Sequence, residues 1–362
     1  MKRIVSVVLS VLTVVLMSGL SGCGKTKGEI HIFDAGGKEA AVLKTIPNGV
    51  NDIKNTPYSA YIDEALNESA LCIANEKGIS YEESKEYLLK NKCKIYTSLN
   101  KSVSETIENA YKNAKIEKTD FACAITDLNG NVIALFSGNS EDKTKNHATD
   151  KTPPYSSFKP LGVYAPAIEN GVAHWSKAYL DSPIKKIKSQ SGIEYDWPAN
   201  ATDSYTNDNV ILANAVKTSL NTVAVRCMQD LGVQNSFDFL KKSFDLELED
   251  ENKKAAVYGE EEIIGNVALG YFTAVSPYDM AGYYQIFATG GKYIKPHTVL
   301  KITDENNHSL YENKSEEKQV IKEQTAFIMN KMLQNVVSPG GTGEKARVED
   351  IPVGGKTGTG DE

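Results

Sequence analysis

The stretch Tyr155–Pro160, which reads YSSFKP, lies near the middle of the 362-residue chain. Ser156 and Lys159 are three positions apart, so on a helix their side chains share one face about 5–6 Å apart. A neutral lysine beside a serine can take the hydroxyl proton and so activate the serine as a nucleophile. The stretch therefore predicts a nucleophile, Ser156, with Lys159 as its base.

The residues after this stretch are predicted to form a helix. Leu161, Tyr164 and Ile168 recur at helical spacing, and Pro160 is tolerated in a first turn, where backbone amides have no partner within the helix. Ser156 would then lie at the N-terminus of the helix. Backbone N–H groups and the helix dipole at that end favour a developing negative charge.

The spacing alone is weak evidence, because four other Ser-x-x-Lys pairs occur in the chain. Two further motifs give it weight. Ser219-Leu220-Asn221 lies downstream, and Lys356-Thr357-Gly358-Thr359 lies near the end. Ser-x-x-Lys, Ser-x-Asn and Lys-Thr-Gly in this order are the signature of penicillin-binding proteins and serine β-lactamases.

The chain resembles the transpeptidase domain of class A, or bifunctional, penicillin-binding proteins from about Pro57 to its last residue. Pro57–Leu66 and Lys94–Asn100 match the linker that precedes this domain in the family. The resemblance implies an α+β fold of the penicillin-binding protein and serine β-lactamase type. In that fold an antiparallel sheet is flanked by helices, with an additional helical subdomain.

The resemblance also implies roles for the first two motifs. Ser156 would attack the carbonyl of the penultimate D-alanine of a peptidoglycan stem peptide, and Lys159 would be its base. Ser219 would relay a proton towards the leaving nitrogen. Asn221 would hold Lys159 and a substrate amide. β-Lactam antibiotics would acylate the same serine.

The third motif would bind the substrate. By resemblance, Lys356 and the hydroxyls of Thr357 and Thr359 suit the terminal carboxylate, and the charge of Lys356 would help to lower the pKa of Lys159. Gly358 lets the backbone pass close to the ligand. The oxyanion would rest on the backbone N–H groups of Ser156 and Thr359.

Residues 1–22 have the pattern of a bacterial targeting segment, with a basic start, an apolar run and small residues. The run ends in Leu20-Ser21-Gly22-Cys23, which resembles a lipobox. We therefore expect cleavage before Cys23, lipidation of that cysteine and attachment to the membrane. An ordinary cleaved signal peptide and an uncleaved anchor are the alternatives. All three place the rest of the chain outside the cytoplasm.

The sequence divides the mature chain into three predicted parts. Residues 23–56 are a tether with one possible short strand at Ile30–Phe33, and residues 57–118 are a helical pedestal resembling the class A linker. Residues 119–362 are the transpeptidase domain, which opens with a hairpin at Phe121–Phe136 around an Asn-Gly turn. Because the chain stops just after the Lys-Thr-Gly motif, the resemblance leads us to expect that its last strands are missing and that the Lys356 strand lacks a partner. No glycosyltransferase domain precedes the pedestal, and the sequence leaves open whether a separate glycosyltransferase is a partner.

Two segments of the transpeptidase part carry further predictions. Val210–Leu231 is predicted as one helix that bears Ser219 and Asn221. The polar stretch from Trp175 to Asn200 has no regular period and is expected to wrap the outside of the helical subdomain. Its two tryptophans are interpreted as packing residues rather than substrate platforms.

Composition excludes several other functions. A net charge of −7 gives no basic field for nucleic acid. The five histidines and five cysteines lack metal-ligand spacing, so no metal or other cofactor is predicted. The cysteines are expected to pack as small apolar residues, with a Cys72–Cys93 bridge left open.

Two alternatives to a transpeptidase remain at this stage. A β-lactamase would share the acylation step, but it needs a positioned base for hydrolysis, and no segment resembles the class A lactamase deacylation loop. A non-catalytic lipoprotein that senses peptidoglycan or β-lactams is the other. Turnover of a D-Ala-D-Ala peptide separates the enzyme from the sensor.

Overall fold

The structure is a computed structural model that describes residues 28–115, 120–138, 145–188 and 192–360. The predicted signal peptide, the lipobox and Cys23 lie outside these residues. The first part of the chain contains β1 (Ile30–Phe33), β2 (Glu39–Leu43), a 3-10 turn (Val50–Ile53), α1 (Ser59–Lys77), α2 (Tyr81–Lys90), β3 (Lys94–Thr97), α3 (Lys101–Ala114), β4 (Phe121–Thr126) and β5 (Val132–Gly138).

The second part is richer in helices. It contains a 3-10 turn (Tyr155–Phe158), a π-helical turn (Pro160–Tyr164), α4 (Ala165–Glu169), β6 (Ala178–Leu180), β7 (Lys185–Lys188), β8 (Glu194–Trp197), β9 (Asn209–Ile211), α5 (Leu212–Thr218), α6 (Asn221–Leu231), α7 (Val233–Phe244), α8 (Glu249–Tyr258), α9 (Glu260–Leu269), α10 (Pro277–Tyr284), a 3-10 turn (Gln285–Phe287), β10 (Lys292–Ile294), β11 (Val299–Thr303), β12 (Ser309–Glu312), β13 (Glu317–Gln319), α11 (Glu323–Val337) and a 3-10 turn (Glu344–Ala346).

A five-stranded sheet joins segments that are far apart in sequence, in the order β12-β11-β3-β1-β2. β1 runs parallel to β3, and the other pairs are antiparallel. Ile95 at the centre pairs with Ile32 on one side and with Ile302 on the other. All three are fully buried, in a cluster that includes residues of α1. Apolar burial of this kind holds the sheet against the helix.

This sheet corrects the prediction of a tether over residues 23–56. β1 is found where a short strand was predicted, but β2 follows it as a hairpin partner, and both are built into the sheet. Alternate residues such as Ile30 and Ile32 are buried, which is the period of a half-buried strand. The sheet also includes β11 and β12 of residues 119–362, so it joins that part of the chain to the predicted pedestal.

The predicted hairpin is present as β4 and β5. Ala124 pairs with Leu135 in an antiparallel ladder, and Gly130 in the connecting turn has φ of 79°, which glycine adopts without steric cost. Within the described residues the hairpin pairs with no third strand. The hairpin packs against helices instead, with α10 on β4 and with α1 and α3 on β5.

The helical body is built around the Tyr155–Tyr164 segment. Phe158, Leu161 and Tyr164 are fully buried in an apolar cluster to which α5, α6, α7, α9 and α11 also contribute. The prediction of one helix over Val210–Leu231 is wrong. The segment instead forms β9, α5 and α6, and the break between the two helices falls at Ser219, where φ is 63°.

The polar stretch from Trp175 to Asn200 is more regular than its sequence indicated. β6 pairs with β9, and β7 pairs with β8, each as an antiparallel pair. Among the residues described, no helix is long and apolar enough to cross a membrane. Cys72, Cys93, Cys123 and Cys227 are free thiols, so Cys72 and Cys93 are not bridged.

Candidate active site

The segment around Ser156 is a composite helix rather than the regular one predicted. A 3-10 turn leads into a π-helical turn, and α4 completes the run. Tyr155, directly before Ser156, has φ of 48°, a conformation that costs a non-glycine residue energy and is found at functional turns. Its N–H donates to the Gly270 carbonyl at 3.1 Å, so the entry to the helix is tied to the end of α9.

Hydrogen bonds and an aromatic contact of the residues that follow Ser156 fix the conformation of the turn. The Ser157 hydroxyl donates to the Pro154 carbonyl at 2.5 Å. The Tyr284 hydroxyl donates to the Ser157 carbonyl, also at 2.5 Å. The Phe158 ring packs edge-on against Phe272, with centroids 4.8 Å apart. Ser156 itself is only half-buried, which leaves its position accessible to a substrate.

Lys159 is one of the few charged side chains that lie fully in the core, at 0% exposed. Its Nζ donates to Asn221 Oδ1 at 2.6 Å and to the Ser219 carbonyl at 3.0 Å, and it lies 3.5 Å from Ser219 Oγ. Burial lowers the pKa of Lys159 well below its usual value, and the nearby charge of Lys356 lowers it further. A buried amine with a depressed pKa is suited to act as a base.

Ser219 is the point where both lysines meet. Its left-handed conformation ends α5 and turns its carbonyl and hydroxyl towards Lys159. The Lys356 Nζ donates to Ser219 Oγ at 2.7 Å. Burial lowers the pKa of Lys356 to about 8. The Ser219 hydroxyl thus connects a fully buried amine with one that is more often protonated.

The segment after Lys356 lies beside the Ser156 turn. The Thr357 hydroxyl donates to the hydroxyl of Thr342 at 2.8 Å. A Cβ added to Gly358 would lie 3.0 Å from the Pro154 carbonyl oxygen, so glycine permits this close approach. Thr359 is exposed. Residues 352–360 form no strand ladder with any described residue.

The sequence did not predict the residues that form hydrogen bonds with Asn221 from outside the motifs. The Asn221 Nδ2 donates to the Ala199 carbonyl at 2.6 Å, and the Asn221 N–H donates to Asn200 Oδ1 at 2.8 Å. Asn200 in turn binds the fully buried Asp181. These residues lie in the polar stretch from Trp175 to Asn200, which the sequence predicted to be irregular. No spacing in the sequence marks them as neighbours of Asn221.

One further cavity and the two tryptophans do not contribute to the site built from the three motifs. A cavity of about 640 Å³ between α5 and α11 is lined by Trp175 and Phe327 but by none of the predicted site residues. Trp175 is 53% exposed, whereas Trp197 packs on Gly265. No cluster of His, Cys, Asp or Glu able to hold a metal occurs in the part of the chain that the structure describes.

The pairing of the two lysines predicts a pH effect. Replacing Lys356 with methionine removes the positive charge beside Lys159, so the pKa of Lys159 should rise and its neutral form should appear only at higher pH. We expect the acid limb of the rate of acylation by penicillin to move to higher pH. Lys345→Met, at an exposed position before the motif, should leave the limb in place. An unmoved limb in Lys356→Met would contradict the electrostatic link.

Comparison with known proteins identifies the family. The model of the penicillin-binding protein transpeptidase domain matches residues 121–362, about two thirds of the chain. The chain belongs to this family. The chain is similar to penicillin-binding protein 1A of Clostridium acetobutylicum, with 28% identity over 352 residues. That match covers 88% of this chain but 42% of the relative, so the chain spans less than half of the relative's length. The predicted resemblance to class A penicillin-binding proteins is confirmed.

Solved transpeptidase structures share the fold. The D,D-transpeptidase domain of a peptidoglycan glycosyltransferase from Eggerthella lenta has a TM-score of 0.65 at 17% identity, covering 93% of this chain and 88% of that one. Penicillin-binding protein A from M. tuberculosis, solved as an imipenem acyl-enzyme complex, has a TM-score of 0.63 at 16% identity, with the same coverage. At such identities the likeness concerns the fold, and the predicted α+β class of the transpeptidase domain is confirmed.

Proposed function

We propose that the protein is a peptidoglycan D,D-transpeptidase that is acylated at Ser156. The observation that carries this proposal is the fully buried Lys159, whose amine is held by Ser219 and Asn221 and faced by Lys356. A lysine that only stabilised the fold would gain nothing from a depressed pKa. A base beside a serine needs it in order to take a proton near neutral pH.

The first half of the proposed reaction forms the acyl-enzyme. Lys159 takes the proton of Ser156, whose oxygen attacks the carbonyl of the penultimate D-alanine. Ser219, within reach of both amines, passes a proton to the leaving nitrogen, and D-alanine departs. The backbone N–H groups of Ser156 and Thr359 are the proposed donors to the oxyanion.

The second half transfers the acyl group to an amine of another stem peptide, which forms a cross-link and frees Ser156. Lys356 and the hydroxyls of Thr357 and Thr359 are proposed to bind the terminal carboxylate, since a lysine charge and hydroxyl donors suit an anion. Gly358 keeps the backbone close to the Ser156 turn. A β-lactam would bind at the same residues and acylate the same serine, as imipenem acylates the M. tuberculosis protein of the same fold.

The test is to incubate the chain with labelled penicillin and map the modified peptide by mass spectrometry. We expect one covalent label, on Ser156, and slow release of a D-alanine from a D-Ala-D-Ala peptide. A label on another serine would overturn the assignment. Rapid hydrolysis of the antibiotic would indicate a β-lactamase, and labelling without peptide turnover would indicate a sensor.

We also propose that the protein is anchored outside the cytoplasm by a lipid on Cys23. The support is the order of a basic start, an apolar run and Leu20-Ser21-Gly22-Cys23, together with the cell-wall substrate proposed above. Expression in a bacterium fed a labelled fatty acid should mark the wild type but not Cys23→Ala. Equal labelling of the two proteins would refute the anchor.

A further inference from the structure

We propose that Asp181 and Asn200 are positioning residues that set the place of Asn221, and through it of Lys159, by capping α6 from outside that helix. The inference rests on the proposed acylation at Ser156 and adds two residues to the machinery around it. Neither residue lies in the three motifs, and neither touches Lys159.

The N-terminus of α6 lacks a cap of its own. The residue in the capping position is Leu220, whose side chain cannot accept a hydrogen bond, although the first backbone N–H groups of a helix have no partner within it. Asn200 Oδ1 supplies the acceptor instead. It receives the N–H of Asn221 at 2.8 Å and that of Thr222 at 3.4 Å. The start of α6 is therefore fixed by a side chain about twenty residues upstream.

Asp181 decides which way the Asn200 amide points. It is fully buried and accepts hydrogen bonds from Asn200 Nδ2 at 2.8 Å, the Thr222 hydroxyl at 2.6 Å and the Thr206 N–H at 2.8 Å. Burial by itself raises the pKa of Asp181, but these donors outweigh it and the pKa lies below its usual value. An ionised carboxylate only accepts hydrogen bonds. Asn200 must therefore turn its NH₂ to Asp181 and its oxygen to α6.

The same segment orients the Asn221 side chain. Ala199, next to Asn200, accepts from Asn221 Nδ2 at 2.6 Å. Because the NH₂ of Asn221 is used there, its oxygen faces Lys159 at 2.6 Å. The contacts thus run from Asp181 through Asn200 and Asn221 to the amine of Lys159. If the cap were lost, Asn221 would shift, and Lys159 would lose the acceptor that stabilises its charged form.

The test compares Asn200→Ala with Asn146→Ala. Asn146 is a matched control outside the site, since its Nδ2 binds the Ala60 carbonyl and the Asp63 carboxylate and its oxygen accepts the Ala148 N–H. It is 6% exposed, against 3% for Asn200. In the full chain, the rate constant of acylation at saturating penicillin should fall about 10- to 100-fold in Asn200→Ala. The penicillin concentration that gives half the maximal rate should change little. Asn146→Ala should acylate like the wild type, although its melting temperature should be similar to that of Asn200→Ala.

The pH profile separates positioning from simple destabilisation. Lys356 is the charged group that faces Lys159, and Ser219 and Asn221 are its polar neighbours. Loss of the Asn221 acceptor disfavours protonated Lys159, so the acid limb of acylation should move to lower pH in Asn200→Ala. Asp181→Asn, which frees the Asn200 amide to flip without changing its size, should move the limb in the same direction.

The outcomes for the two proposals differ. If the wild type is acylated at Ser156 but Asn200→Ala acylates at the same rate with an unmoved limb, the capping proposal is wrong and the proposed function stands. A lower rate with an unmoved limb, matched by Asn146→Ala, would also overturn it, because that result reflects stability alone. If the wild type is not acylated at all, the proposed function fails first.

Discussion

Lys159→Met is expected to reduce the rate of penicillin acylation by about 10²- to 10⁴-fold, the scale of a lost general base. Methionine has a similar length and fills the same fully buried space but cannot take a proton. Ser156 is unchanged, so the loss would report activation of the nucleophile rather than its presence. The measurement is the rate of covalent labelling at saturating antibiotic.

The same substitution should change how stability depends on pH. The pKa of Lys159 is depressed in the folded chain from 10.5, so folding expels its proton. The contribution of Lys159 to stability is therefore greatest above about 10.5 and is lost as pH falls from there through the folded pKa. In urea unfolding, the free energy of unfolding of Lys159→Met should decline less as pH falls, because the contribution of Lys159 is absent. Lys331→Met, on the exposed face of α11, is the control and should alter neither acylation nor the pH profile. Acylation of Lys159→Met at the wild-type rate would show that another group activates Ser156.

Gly270→Ala is expected to cost about 3 kcal/mol or more of folding free energy and to abolish most acylation. Gly270 has φ of 77°, and a Cβ there would lie 2.2 Å from the carbonyl oxygen of Tyr155. The obstacle is backbone, so relief requires a shift of the residue directly before Ser156. A displacement of about 1 Å at a reacting group can lower a rate about 100-fold.

Gly171→Ala isolates the backbone term of this effect. Gly171 has φ of 72°, but no atom lies within 4 Å of its added Cβ. Its substitution should therefore cost only the left-handed penalty, about 1–2 kcal/mol, and leave acylation intact. Equal losses of stability and activity in the two variants would show that the contact with Tyr155 does not position the nucleophile.

The sequence predicted the features that depend on local geometry. Ser156 and Lys159 are separated by about one helical turn, and the structure places both in one helical run. The hairpin of β4 and β5 follows from strand alternation around Asn-Gly. The helices α1, α2 and α3 are found where the sequence predicted a helical pedestal. The order of the three motifs indicated the family without any contact being known.

Strand pairs that are far apart in sequence could be identified only from the tertiary structure. The five-stranded sheet pairs β1 with β3 and β3 with β11, and no pattern within a short strand specifies a partner about 60 or 200 residues away. For this reason the tether prediction failed.

At the site, the sequence alone determined which residue types are present, their order and the helical spacing of Ser156 and Lys159. The tertiary structure decided that Lys159 is desolvated, that Ser219 adopts φ of 63°, and that Asn200 and Asp181 stand behind Asn221. Desolvation is a property of everything packed around a group, and a left-handed conformation at a serine persists only where the surroundings impose it. Neither can be read from the neighbours of a residue in the chain.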